Sequence, residues 1–206
     1  MIRASPIGGI SSMKIISICL LLIGILYLLN TSVAVAGLEQ PKYELISKDG
    51  RFEIRHYQPV YVAQTTVQES FSSGLRTGFR RIANYIFGGN AEEQKISMTA
   101  PVISTMPNQE SVDVLFVMPQ SYSLQTLPEP NLSNVELYKE DWSDVAVYRF
   151  GGWATEERVI EIQERLQDIL DERGIRTRGE WRVAQFNPPM IPPPFRKNEL
   201  MVQIQR

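Results

Sequence analysis

The segment VYVAQTTVQESFSSGLRTGFRRIANYIFGG, residues 60–89, sets the architecture. Its opening, Val60 to Gln68, is β-branched and aromatic, the composition of a strand. From about Ser70 to Phe87 the residues Phe71, Leu75, Phe79, Ile82 and Ile86 recur at helical spacing, and Gly88-Gly89 supply the stop. A strand feeding an amphipathic helix calls for a sheet on which that helix can lay its apolar stripe.

The same order returns further along the chain. Val145 to Phe150 reads as a strand; Thr155 then caps a helix whose first turn holds Glu156 and Glu157 and whose stripe is Val159, Ile162, Leu166, Ile169 and Leu170, with Gly174 as its stop. Around these units lie further strands: Tyr43 to Ser47 and Arg51 to Tyr57 across an Asp-Gly turn, Lys95 to Val102, Val112 to Met118, Val135 to Tyr138, Trp181 to Phe186 and Leu200 to Ile204. A shift of about 85 residues takes Val62 to Val147, Met98 to Val183 and Leu115 to Leu200, the signal of an internal repeat. Two such units predict a single α+β domain with pseudo-two-fold symmetry, and a cleft where helices meet sheet edges.

Composition narrows the chemistry. The chain has 206 residues, 43% hydrophobic and 21% charged, enough for a real core in one or at most two domains. One Cys rules out an internal disulfide, and one His with one Cys cannot build a His/Cys zinc site. A Ser-His-Asp hydrolase would have to use His56, and no G-x-S-x-G elbow is present. The net charge of -2 gives no broad footprint for nucleic acid.

Residues 1–36 differ from the rest. Arg3 and Lys14 precede an apolar run from Ile15 to Leu29, followed by the small-x-small site Ala34-Val35-Ala36. That run has the length of a signal-peptide core and is short for a bilayer span, so 1–36 is read as a signal peptide cleaved before Gly37, with an uncleaved membrane anchor as the alternative. The expected mature domain, 37–206, is then exported, periplasmic or secreted. It contains no Cys, and losing two cations and no acid takes its net charge to -4.

The segments EIRHYQP (53–59), KISMTAPV (95–102), RFGGWA (149–154), NPPM (187–190) and RKNEL (196–200) occur in an order and spacing that resembles the SOUL haem-binding protein family, over about Tyr43 to Ile204. The resemblance implies a distorted antiparallel β-barrel of about eight strands, flanked by two helices and built from duplicated units. It also implies reversible binding of haem or another tetrapyrrole.

Haem is an apolar plate with two carboxylate tails, so its site needs apolar surface, rim cations and, optionally, an axial donor. On the first helix Arg76, Arg80 and Asn84 share one face, beside an apolar surface assigned to Phe79, Ile82, Ala83 and Ile86. The resemblance implies that Arg76 faces the propionates; a solvated helix exterior is the other reading. His56 is the sole imidazole and hence the candidate metal ligand, at a family position proposed to be axial. Alternation places it with Ile54, opposite Glu53, Arg55 and Tyr57, and half-buried packing or simple exposure would explain it equally. Met98 and Met190 are softer axial candidates, with core filling as the alternative. The proline-rich loop from Asn187 to Asn198 either lines the ligand site or merely crosses the domain, while Trp153 and Trp181 are read as core.

The leading expectation is therefore a non-enzymatic tetrapyrrole carrier, buffer or scavenger. It is expected to be monomeric, without nucleic acid, and membrane-bound only if residues 1–36 are retained. An effector or protein-interaction module for another apolar ligand is the second reading. A hydrolase of porphyrin-like esters using carboxylates such as Glu53 or Glu199 is the third.

Overall fold

The computed structural model describes residues 37–107 and 110–205. The expected signal peptide or anchor lies outside the described residues. The elements are β1 (Tyr43–Asp49), β2 (Phe52–Tyr57), β3 (Val60–Val67), α1 (Phe71–Ile86), β4 (Val102–Thr105), β5 (Val112–Val117), β6 (Glu136–Glu140), β7 (Asp144–Phe150), α2 (Glu156–Glu172), β8 (Arg176–Gln185) and β9 (Asn198–Gln205). The nine strands form one curled antiparallel sheet in the order β1-β2-β7-β9-β8-β4-β5-β3-β6. The α+β class, the two helices and the antiparallel curl are as expected. The strands number nine rather than about eight, and β1 and β6 remain edges, so the sheet does not close into a barrel.

The sheet order makes the duplication explicit. Read outward from the central β4–β8 pair, one half runs β4, β5, β3, β6 and the other β8, β9, β7, β2. A shift of 85 residues takes the β3–β6 partners Ala63 and Leu137 onto the β7–β2 partners, since Ala63 becomes Tyr148 and Phe52 becomes Leu137. Each repeat is thus a β-β-α-β-β unit whose first strand crosses to the edge of the other repeat's half. The expected equivalence of Met98 with Val183 does not hold. Met98 lies in an irregular segment, and Ile103 of β4 stands where Val183 stands in β8: Ile103 pairs with Leu115, as Val183 pairs with Leu200. With Ile86 of α1 equivalent to Leu170 of α2, the first repeat therefore has four more residues than the second between helix and strand. KISMTAP, expected to be extended strand, contributes only single bridges at Lys95 and Thr99 before Pro101, which has no N–H for a ladder.

The two helices cover the outer face in different ways. α2 is capped by the Thr155 hydroxyl, which accepts from the Arg158 N–H at 3.3 Å, and Val159, Ile162, Leu166 and Leu170 bury its stripe on β7, β8 and β9. α1 approaches β3 and β5 more closely, through Gly74 and Gly78. A Cβ on Gly78 would lie 2.4 Å from Val114 Cγ2, so only glycine lets the helix sit there. Ile82, Tyr85 and Ile86 complete the α1 contact. Among the described residues no helix covers the inner face; Val62, Ile103, Leu115, Val145, Val147 and Ala184 pack there with Trp142 and Met201.

Candidate functional site

The buried stripe of α1 fixes what its other side shows. Ile82 and Ile86, expected to form part of the ligand surface, are instead 2% exposed against the sheet. Helical periodicity then turns Phe79, Ala83 and Phe87 outward in a row one turn apart, and Phe79 and Phe87 are 41% and 56% exposed. Arg76 and Arg80 are exposed beside that row. α1 contains three arginines and no acidic residue. Arg81 is tied down to β3, donating to the Thr66 carbonyl at 2.9 Å and the Thr65 hydroxyl at 3.2 Å. Neither Arg76 nor Arg80 has a carboxylate partner among the described residues; Arg80 reaches only the Thr77 hydroxyl, at 3.4 Å. The outer face of α1 is thus an apolar strip flanked by two cations free of counter-charge, an arrangement matched to a flat apolar anion.

The remaining candidates divide between the halves of the sheet. Met98, 38% exposed, follows Lys95, whose bridge to Phe87 brings the segment past the end of α1. His56 sits on β2, between β1 and β7, in the half that carries α2. It is an exposed side chain whose Nδ1 lies 2.8 Å from Asp144 Oδ1. That contact orients the ring and engages Nδ1, so Nε2 is the nitrogen left for any ligation. Met190, 73% exposed, stands on the proline loop in the same half. The structure therefore places Arg76, Phe79, Arg80 and Ala83 together on the first repeat's helix, puts Met98 three residues beyond the bridge at its end, and sets His56 and Met190 in the other half of the sheet. Trp153, read as core, is half exposed, because the Gly151-Gly152 turn lifts it off the sheet before α2 starts.

Sequence reasoning missed Phe87, although it lies four residues beyond Ala83 and eight beyond Phe79. It also missed a buried ion network on the inner face. Arg55, 3% exposed, donates to Glu53, to both oxygens of Glu199 at 2.8 Å, and to the Tyr57 hydroxyl at 2.8 Å, while its guanidinium stacks 4.3 Å from the Tyr43 ring centre. Lys48 adds a contact to Glu53 at 3.0 Å. Burial opposes the charge on Arg55, yet its bonds to Glu199 prevail and hold the guanidinium more firmly protonated than in water. For Glu53, burial favours the neutral acid but Arg55 and Lys48 outweigh it, so its carboxyl stays below the usual range. Both carboxylates named for a hydrolase are thus committed to one arginine. The lowered carboxyl of Glu53 is the opposite of what a general acid requires.

Two recesses open on this inner face. The larger, about 40 Å³, is lined by Tyr43, Arg55, Tyr57, Ile103, Trp142 and Glu199 among others; the smaller, about 30 Å³, adjoins Trp142, Arg182 and Met201. Each admits little more than a water molecule, whereas organic ligands occupy roughly 300 Å³ or more. The outside of α1 offers open apolar surface instead. No group of three or more His, Cys, Asp or Glu that could hold a metal ion occurs among the described residues.

Fold and site together define a duplicated α+β domain with one helix per repeat, of which the first presents an apolar, cation-flanked face. The chain belongs to the SOUL heme-binding protein family, whose model matches residues 38–203. It is 32% identical to mouse heme-binding protein 2 over 150 residues, covering 67% of this chain and 72% of that protein. With human heme-binding protein 2 the identity is 29% over 151 residues, 68% of this chain and 72% of that one. Among solved structures, the EcmrR C-terminal domain matches with a TM-score of 0.56 at 11% identity, over 80% of this chain and 98% of that domain. A hydrolase from Listeria innocua matches at 0.54 and 8%, over 78% and 94%. These two likenesses speak to the fold alone.

Proposed function

We propose that this chain binds haem or a related tetrapyrrole on the outer face of α1 and acts as a carrier, buffer or scavenger rather than an enzyme. The observation that carries the proposal is the row Phe79, Ala83 and Phe87 beside Arg76 and Arg80, apolar surface and free cations on one exposed helix face. Membership of the SOUL family and the mouse and human relatives named for heme binding support the ligand class. The plate lies on the two phenylalanines, and its carboxylate tails reach the arginines. Met98 is the nearest soft donor along the chain. His56, on the other half of the sheet, is no part of this site, so binding does not depend on iron. A surface site of this kind, without an enclosing cavity, suits reversible loading. Export, with residues 1–36 removed as a signal peptide, belongs to the same proposal and is checked by finding Gly37 as the N-terminus of a secreted fraction.

The functional test is titration of hemin and of metal-free protoporphyrin into the protein. Saturable binding of both with comparable affinity, unchanged in His56→Ala and weakened in Arg76→Ala, is the expected result. Absence of saturable binding for either ligand removes the proposal. A hemin spectrum that changes in His56→Ala moves the site to β2.

A further inference from the structure

We propose that the proline loop between β8 and β9, together with Trp153, is a lipid-contact site that enters the headgroup region of an anionic membrane surface. The loop and its neighbour carry three of the most exposed large apolar side chains of the described residues: Met190 at 73%, Phe195 at 69% and Trp153 at 50%. They are held rigidly. Five of the nine residues from Asn187 to Phe195 are proline, which fixes their φ, and Arg196 ties the loop together from below. Its side chain donates to the carbonyls of Pro189 at 2.6 Å, Ile191 at 3.0 Å and Pro188 at 3.3 Å, and its guanidinium lies 3.7 Å from the centre of the Trp153 ring. The Gly152 N–H, next to Trp153, donates to the Pro193 carbonyl at 3.2 Å. Buried Arg196 thus joins the loop and the tryptophan into one projecting unit.

The backbone of this unit explains why lipid is its partner. A segment that presses apolar side chains toward the acyl boundary gains from carrying few unpaired polar groups of its own. Prolines remove five N–H groups outright; the N–H groups of Ile191, Phe195 and Arg196 donate to the carbonyls of Pro188, Pro192 and Pro193 at 3.0–3.1 Å. Arg196 takes up further carbonyls. The projecting surface therefore offers few free donors, whereas a protein interface needs about one hydrogen bond per 100–200 Å². Charge on the loop itself points the same way: between Gln185 and Asn198 the only charged residues are Arg196 and Lys197, and Lys197 is exposed, while the nearest acids along the chain from Trp153 are Glu156 and Glu157 in the first turn of α2. A tryptophan, a phenylalanine and a methionine edged by an exposed lysine match an anionic interface.

The test uses the full chain with Cys19→Ser and a single environment-sensitive nitrobenzoxadiazole label. The label is placed at Met190→Cys or, as a control on exposed α2 surface, at Glu172→Cys. Phosphatidylcholine vesicles with and without phosphatidylglycerol are added. The proposal expects a severalfold rise and blue shift of emission at position 190 with the anionic vesicles, little change at 172, and loss of the response when Phe195→Asp is added. Since residue 195 is exposed, that variant keeps its fold, as circular dichroism will verify. Equal responses at both positions, the pattern of a chain held only by residues 1–36, overturn the proposal. So does an unchanged signal at 190, which leaves the patch to a protein surface.

Discussion

The two helices are copies of one element, and their outer faces have diverged. Aligned with a shift of 84 residues, the buried positions Gly78, Ile82 and Ile86 of α1 fall on Ile162, Leu166 and Leu170 of α2. On the outside, Phe79, Arg80, Ala83 and Phe87 then fall on Gln163, Glu164, Gln167 and Asp171. The arginines of α2 are compensated: Arg158 and Arg165 both contact Glu161 at 3.1 Å, and Arg173, just beyond the helix, meets Asp49 at 2.6 Å. α2 thus shows the ordinary solvated exterior of a helix, with intrahelical pairs worth a few tenths of a kcal/mol each. α1 lacks every one of those compensations and exposes phenylalanine instead. The same fold position in the second repeat looks like α2, and the proposed ligand site accounts for the departure at α1.

Substitutions can break this comparison at several depths. The largest effect is expected at the buried stripe of α2, where Leu166→Ala costs about 2–5 kcal/mol in urea unfolding through the cavity it leaves. Gly78→Ala in α1 costs about 1–3 kcal/mol for the opposite reason, overpacking against Val114. If Gly78→Ala proves neutral, α1 does not approach the sheet as closely as described. Outer-face changes reverse the pattern. Phe79→Ser with Phe87→Ser, at side chains already about half exposed, costs only about 1–2 kcal/mol in unfolding but lowers hemin affinity about tenfold or more, measured by absorbance titration. Arg76→Ala lowers it severalfold, an effect that shrinks at high salt, while Glu164→Ala on α2 changes nothing. On the inner face, Glu53 has a carboxyl below its ordinary value near 4.5, so the stability it confers is present above that pH and is lost as pH falls through the lower folded value. Glu53→Gln is expected to flatten this acid limb in unfolding measured from neutral pH downward.

Much of the fold was legible because local signals agreed. The stripe of α2, that of α1 apart from Phe79, the Asp49-Gly50 turn, the Thr155 cap and the repeat near 85 residues each follow from residue spacing, and each reappears in the structure. The misreadings share a physical origin in long-range packing. Alternation along β2 correctly put Glu53, Arg55 and Tyr57 on one face, but no local signal shows that this face is buried; the curl of the sheet and Glu199, far along the chain, enclose it. Ile82 and Ile86 fit an apolar helix face, yet only the closeness allowed by Gly74 and Gly78 decides that this face is buried and that Phe79 and Phe87 are not. Trp153 looked like core because tryptophan usually is; the glycine turn and Arg196 hold it outside. Open edges at β1 and β6 depend on strand order, which local sequence does not encode.

The central claim, that the outer face of α1 and not its counterpart on α2 receives the ligand, is tested most directly by hydrogen–deuterium exchange of the full chain with and without saturating hemin. The account predicts slowed exchange in peptides spanning residues 71–98 and no change across residues 156–172. Protection centred on β2 around His56, or on both helices alike, would contradict it.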